Sequence, residues 1–274
     1  MPNWLDPEVT TLPELLKAAG YATAHFGKWH LGSGTGAPGP EAYGFDVHRT
    51  VNANGPTWDE QKDKYFRAHS TGLFVDETLK FIKAHKDQPF YVNLWTLVPH
   101  ATLEPTPEEL AVYADLEFKP EDFEGQMPEY LKNAPDMLSQ MKVFAAAVTG
   151  LDKALGRLFD ALDTMGLTEN TVILFSSDNG PEDYQIGNAR NAGVGYPGDH
   201  RGRKRSIYEG GVRTPCIVRW PGRVAAGAVD ETTVLTAVDW LPTACAIAGI
   251  DAPSEGLDGE DMSDILRGAK RRRR

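Results

Sequence analysis

The chain has 274 residues, with 28 Lys plus Arg against 39 Asp plus Glu and a formal net charge of -11. That length, with 41% hydrophobic residues, suffices for a sizeable core and excludes global disorder. Five of the basic residues close the chain at Lys270 to Arg274, so the body carries 23 against 39, which argues against a general nucleic-acid footprint.

No run approaches the roughly 18 to 20 apolar residues of a membrane span. Met1 to Thr11 lack the basic then apolar order of a signal peptide, and the residues read as a soluble chain. Cys216 and Cys245 lie in no C-x-x-C pair, allow at most one bridge and leave the redox compartment open.

Thr11-Leu12-Pro13-Glu14 combines a capping position with Glu three residues later and Pro in the first turn, so a short helix is expected up to Gly20. Tyr21 to Phe26 reads as a strand that breaks at Gly27-Lys28-Trp29-His30-Leu31-Gly32. In an open parallel sheet, ligands collect outside the carboxyl ends of the strands, where this loop falls. Val75, Leu79 and Ile82 have helical spacing, and Phe90 to Trp95 forms a buried strand ending near Pro99-His100.

Phe144, Val148, Leu151, Leu155, Leu158 and Leu162 draw a long amphipathic helix stopped by Gly166. The strand Thr171 to Phe175 then delivers Ser176-Ser177-Asp178-Asn179-Gly180. Cys216 to Trp220 is a further strand, and Val238, Leu241, Cys245 and Ala248 mark a later helix. Helices alternating with apolar strands predict an α/β fold with a mostly parallel sheet flanked by helices, holding the strands at 21, 90 and 171 together. Composition assigns 33–44, 100–135 and 181–205 to loops walling a site.

Lys28 and His30 are two apart, so on extended backbone both side chains share a face and Trp29 takes the other. Such a pair can grip an anion and move a proton, although a Lys and a His near a strand end are also common surface residues. Asp178-Asn179 offers two oxygen ligands of the kind Ca²⁺ or Mg²⁺ prefers, and Asp-Asn-Gly is equally ordinary turn chemistry. His100 follows a strand end. Lys204 lies in the basic run 200–205, which reads alone as a solvated face. Together these residues make two lysines for a tetrahedral oxyanion, two histidines for acid and base work, and a divalent-cation half-site. That kit suits hydrolysis of a sulfate or phosphate ester.

Gly20-Tyr21-Ala22-Thr23-Ala24-His25-Phe26-Gly27-Lys28-Trp29-His30-Leu31-Gly32 resembles the second signature of the formylglycine-dependent sulfatases, a family with an alkaline phosphatase-like fold that includes arylsulfatases and N-acetylgalactosamine-6-sulfatases. Phe175 to Gly180 resembles that family's metal-binding strand end. Arg201-Gly202-Arg203-Lys204 with Glu209-Gly210-Gly211-Val212-Arg213-Thr214-Pro215 resembles its later lysine segment, and Asp239-Trp240-Leu241-Pro242 and Leu257-Asp258-Gly259 extend the match.

The resemblance implies that Lys28 and Lys204 hold sulfate oxygens. By the same carry-over, His30 assists the hydrate of the formylglycine aldehyde, His100 binds sulfate or protonates the leaving alcohol, and Asp178 and Asn179 contribute to a Ca²⁺ site. All six are expected within roughly 10 Å of a common point. The implied substrate is a sulfated small molecule or glycan. Family members are commonly exported to the periplasm, the extracellular space or the lysosome, and the compartment of this chain stays open.

The sequence departs from the family in two places. No Cys or Ser stands in a C/S-x-P-x-R motif, which the family converts to formylglycine, and no Asp-Asp pair supplies further metal ligands. The chain therefore reads as a partial catalytic domain over 1–268, shortened at both ends, with a basic tail at 269–274. A missing first strand leaves a sheet edge unpaired, and hydrolysis is expected of the parent architecture rather than of this chain alone. Two alternatives stand beside it. One is a phosphodiesterase or phosphonate hydrolase of the same superfamily, against which the full second signature argues. The other is a non-catalytic protein that keeps the anion pocket and binds sulfated glycans.

Overall fold

A computed structural model describes residues 3–134, 136–183 and 185–269; Lys270 to Arg274, most of the expected basic tail, lie outside them. Helix α1 (Leu12–Ala18) begins at Thr11, whose N–H donates to the Glu14 carboxylate at 2.8 Å, as the capping pattern requires. Strand β1 (Ala22–Lys28) is buried along nearly its whole length. It lies at the centre of a parallel three-stranded sheet between β2 (Val47–Val51) and β3 (Phe90–Trp95), with Ala24 opposite both Val47 and Val92.

Helix α2 (Phe66–His85) covers this sheet. Its Phe74, Val75, Phe81 and Ile82 join Ala24 and Phe26 of β1 in the largest buried cluster. Phe74 and Val75 are fully buried, and each such side chain contributes about 1.5 to 3 kcal/mol. The same cluster takes in Leu158 and Leu162 of the long helix 137–164, so the two long helices and the sheet share one core.

The segment 100–135 is not the structureless loop that its Pro and Glu content predicts. It carries α3 (Pro107–Ala111) and α4 (Met127–Lys132). Both helices have Pro in the first turn, where its missing N–H costs nothing; prolines that read as loop punctuation are helix starts here. Helix α5 (Met137–Thr164) follows, then β4 (Ile173–Ser176), α6 (Glu209–Val212), β5 (Cys216–Arg219), α7 (Trp240–Ala248) and α8 (Ser263–Leu266).

The expectation of one sheet holding the strands at 21, 90 and 171 is contradicted. β4 pairs antiparallel with β5 in a separate two-stranded sheet, through Ile173 to Arg219, Leu174 to Val218, Phe175 to Ile217 and Ser176 to Cys216. An apolar run specifies a strand but not its neighbour. Here Ile173 packs on the α2, α5 and β1 core while its backbone finds β5 instead of β3. β3 and β4 each keep a single hydrogen-bonded neighbour among the described strands. β2 went unread because Val-His-Arg-Thr-Val lacks an apolar run. Its polar side chains find partners at the sheet edge: His48 lies 3.0 Å from Glu41, and Arg49 stacks over Trp58 and reaches Glu77.

Candidate active site

Lys28 is the last residue of β1, which runs two residues beyond the strand end expected at Phe26. Gly27 precedes it with φ +109, and a Cβ there would fall 2.1 Å from the Trp95 carbonyl oxygen. Only glycine lets β1 and β3 approach so closely at this corner. Trp29 is 1% exposed and its backbone N–H donates to Val51 O at 2.8 Å. Lys28 is half-buried and His30 exposed, with the buried Trp29 between them.

Beneath this corner, the fully buried His25 places Nε2 2.9 Å from the Lys28 carbonyl oxygen. A carbonyl only accepts, so Nε2 carries the proton and donates. The ring meets Trp29, Phe45 and Trp95 edge to face. Burial pulls its pKa down to about 4, against the opposing pull of the Lys28 carbonyl and with a further lowering by His48. His25 is a neutral prop for the backbone at Lys28.

His100 is exposed and its backbone N–H donates to Leu97 O at 2.9 Å. Its Nδ1 lies 2.7 Å from Ala101 O. Partial desolvation of the ring lowers its pKa; the Ala101 carbonyl opposes this, and the charges of Lys204, Lys28 and Arg67 lower it further. Lys28 and Lys204 therefore act on one imidazole, although they come from β1 and from the loop before α6.

Beyond β4, Asp178 is exposed and Asn179 half-buried. The Asn179 carboxamide donates to Gly180 O at 3.0 Å. Gly180 N donates to Gly211 O at 2.9 Å and Lys204 N to Pro181 O at 3.0 Å, so the strand end and the lysine segment are tied backbone to backbone. A Cβ on Gly180 would sit 1.9 Å from Gly210 O. The charges of Lys28 and Lys204 both act on His100, and the backbone bonds of Gly180 and Pro181 hold the chain just after Asn179 against the Lys204 segment. His30 follows Lys28 into solvent, and among the described residues no hydrogen bond or ion pair links it to the other five.

Asp178 and Asn179 do not make a Ca²⁺ site by themselves. Ca²⁺ takes about six to eight oxygens, and among the described residues no group of three or more His, Cys, Asp or Glu is gathered for a metal ion.

Three supporting residues escaped the sequence reading. Glu182, 9% exposed, lies 3.6 Å from Lys204 and also pairs with Arg205. Burial alone would raise its pKa, but the Asp183 N–H, Arg205 and Lys204 outweigh it and hold the carboxyl below the usual carboxylate range. Arg203, which read as part of a solvated basic run, is half-buried. Its guanidinium stacks 4.1 Å over Tyr130 and donates to the carbonyls of Glu182, at 3.0 Å, and Gly195, at 2.8 Å. Arg67 of α2 donates to the carbonyls of His100 and Thr102 at 3.3 and 2.7 Å, and to that of Ala101. Paired charges within a basic run signal Glu182 and Arg203 only in retrospect; nothing local in the sequence marks Arg67.

A sulfatase family profile matches residues 4–250. The chain is 31% identical to arylsulfatase A of Homo sapiens over 276 residues, covering 95% of this chain and 52% of that protein. It is 30% identical to N-acetylgalactosamine-6-sulfatase of Mus musculus over 278 residues, covering 92% and 47%. Among solved structures, Ps i-CgsB in complex with k-i-k-neocarrahexaose superposes with a TM-score of 0.74 at 23% identity, covering 97% of this chain and 61% of that one. The chain spans about half the length of the curated relatives it matches. A profile that runs through Lys28, His100, Asp178 and Lys204, with relatives near 30% identical over most of the chain, establishes that this chain belongs to the sulfatase family.

Proposed function

We propose that this chain carries the sulfate-gripping half of a sulfuric ester hydrolase site, whose substrate is a sulfated glycan or small sulfate ester. The observation that carries this reading is that Lys28 and Lys204, from separate elements, both bear on His100. Two ammonium groups around one imidazole are a poor arrangement for stability, since like charges repel, and a good one for a tetrahedral anion. The family membership directs the choice between anions toward sulfate.

In this reading Lys28 and Lys204 neutralise the ester's sulfate oxygens, and charge developing on them as the ester bond breaks is met by cations already in place. His100, held neutral by its surroundings, takes up a proton once the anion offsets the lysines and is then poised to give it to the leaving alcohol. His30, exposed beside Lys28, has room to meet a group entering from solvent. The attacking oxygen is not assigned to any residue of this chain, because no C/S-x-P-x-R segment is present. A formylglycine or Ca²⁺ supplied elsewhere in the parent architecture would add the nucleophile and a Lewis acid.

The test is turnover of a chromogenic aryl sulfate, with and without Ca²⁺, by this chain and by a version extended upstream through any C/S-x-P-x-R segment. Calcium-dependent turnover by the extended version alone supports the reading. Turnover of an aryl phosphate in preference to the sulfate would favour a phosphoester hydrolase. The absent nucleophile motif favours a second reading, a non-catalytic binder of sulfated glycans, for which neither version turns over while sulfate still binds.

A further inference from the structure

We infer that Arg67 is a positioning residue for His100: its guanidinium clamps the His100 to Thr102 turn so that the imidazole is held as the Nδ1–H tautomer with Nε2 free for substrate. The inference deepens the proposed sulfate site and rests on it for its consequence, but not for its geometry.

Arg67 lies in the first turn of α2, more than thirty residues before the turn it holds. Nε donates to Thr102 O at 2.7 Å, and Nη2 donates to His100 O at 3.3 Å and to Ala101 O. Three successive carbonyls thus point at one planar fork, an arrangement that suits the fixed donor geometry of guanidinium and not the point charge of an ammonium. The Ala101 carbonyl is shared, because His100 Nδ1 lies 2.7 Å from the same oxygen.

A carbonyl oxygen accepts and never donates, so Nδ1 must carry hydrogen, and Nε2 of the neutral ring then bears the lone pair. Nη2 also stands 3.5 Å from Nδ1. Two donors cannot bond each other, so Arg67 acts on the ring through the carbonyls. Burial pulls the guanidinium's pKa down and Glu104 opposes it, and the cations acting on the imidazole are Lys204, Lys28 and Arg67 itself. Free imidazole has no such reason to keep its proton on Nδ1. The clamp sets which nitrogen meets the ester.

The test is ¹H–¹⁵N correlation of histidine-labelled 274-residue chain, with His100 assigned by the signal lost in His100→Gln, together with inorganic sulfate titration of wild type and Arg67→Lys. Wild-type His100 is expected as the Nδ1–H tautomer. Arg67→Lys keeps the charge but not the fork, and is expected to convert His100 to a tautomer mixture and weaken sulfate binding about tenfold, the effect of losing one well-placed polar contact. An Nε2–H tautomer in the wild type overturns the inference without any variant, and so does an Arg67→Lys chain with wild-type tautomer and affinity. If Arg67→Lys does not fold, the wild-type tautomer alone decides. If wild type has the stated tautomer but sulfate does not bind, the sulfate-site reading fails and the clamp stands.

Discussion

The Glu182 carboxylate stands 3.6 Å from the Lys204 ammonium and is the less exposed of the two, at 9% against 21%. A buried anion beside an anion-binding lysine opposes ligand binding and fixes the lysine at once. Glu182→Gln is expected to lower stability by about 1 to 2 kcal/mol, the loss of a partly screened pair, and to tighten sulfate binding by roughly threefold to tenfold as the repulsion goes. Urea unfolding and sulfate titration on the same variant check both signs; weaker sulfate binding with unchanged stability would contradict this account of the pair.

Gly180 sits where the β4 end meets α6, with Gly210 O 1.9 Å from the position a Cβ would take. Its φ is not in the left-handed region, so the constraint is contact and not backbone strain. Gly180→Ala should cost about 3 kcal/mol by overpacking. Because Gly180 N bonds Gly211 O and Lys204 N bonds Pro181 O, sulfate affinity should fall along with the thermal midpoint. Gly187→Ala, at a position where a Cβ meets nothing within 4 Å, serves as the control.

His25 gives the fold a defined acid sensitivity. Its pKa is pushed from 6.5 to about 4 by burial, so between those values the unfolded chain binds the proton that the folded chain refuses. Its contribution is fully present above pH 6.5 and is lost as pH falls toward 4, by about 3 kcal/mol in total. His48 is the titratable group that acts on it. In urea unfolding across pH 7 to 4, His25→Gln should lose less stability over that window than wild type. Parallel curves would show that His25 is not a buried neutral base.

Sulfate binding should take up a proton at His100. The ring's pKa is lowered by desolvation and by Lys204, Lys28 and Arg67, and a sulfate between the lysines offsets two of those charges. Its pKa then rises on binding, so affinity should increase as pH falls toward the lowered pKa of the free ring. Calorimetry in two buffers of different ionisation enthalpy measures the proton directly. Zero uptake, or weaker binding at lower pH in the wild type, would remove His100 from the site.

The Thr11 to Glu14 cap, the burial of Trp29 between Lys28 and His30, and the strand at Cys216 were legible in the sequence because each depends on residues a few positions apart. The pairing of β4 with β5 was not, since pairing is decided by backbone partners some forty residues away. α3 and α4 were hidden by prolines that serve helix starts as readily as loops. Residue types and motif order nominate Lys28, His30, His100, Asp178, Asn179 and Lys204 for the candidate site, while Glu182, Arg203 and Arg67 stayed unread, because what they do depends on which carbonyls and ammonium groups the fold delivers to them.

The account turns on Lys28, His100 and Lys204 forming one anion site, and a double-mutant cycle on Lys28→Ala and Lys204→Ala, read by inorganic sulfate titration, tests it most directly. Each single variant is expected to weaken binding about tenfold, or about 1.4 kcal/mol, and the double variant by clearly less than the product, because residues sharing one ligand couple. Independent effects that multiply in full, or affinity unchanged in either single variant, would contradict a shared site.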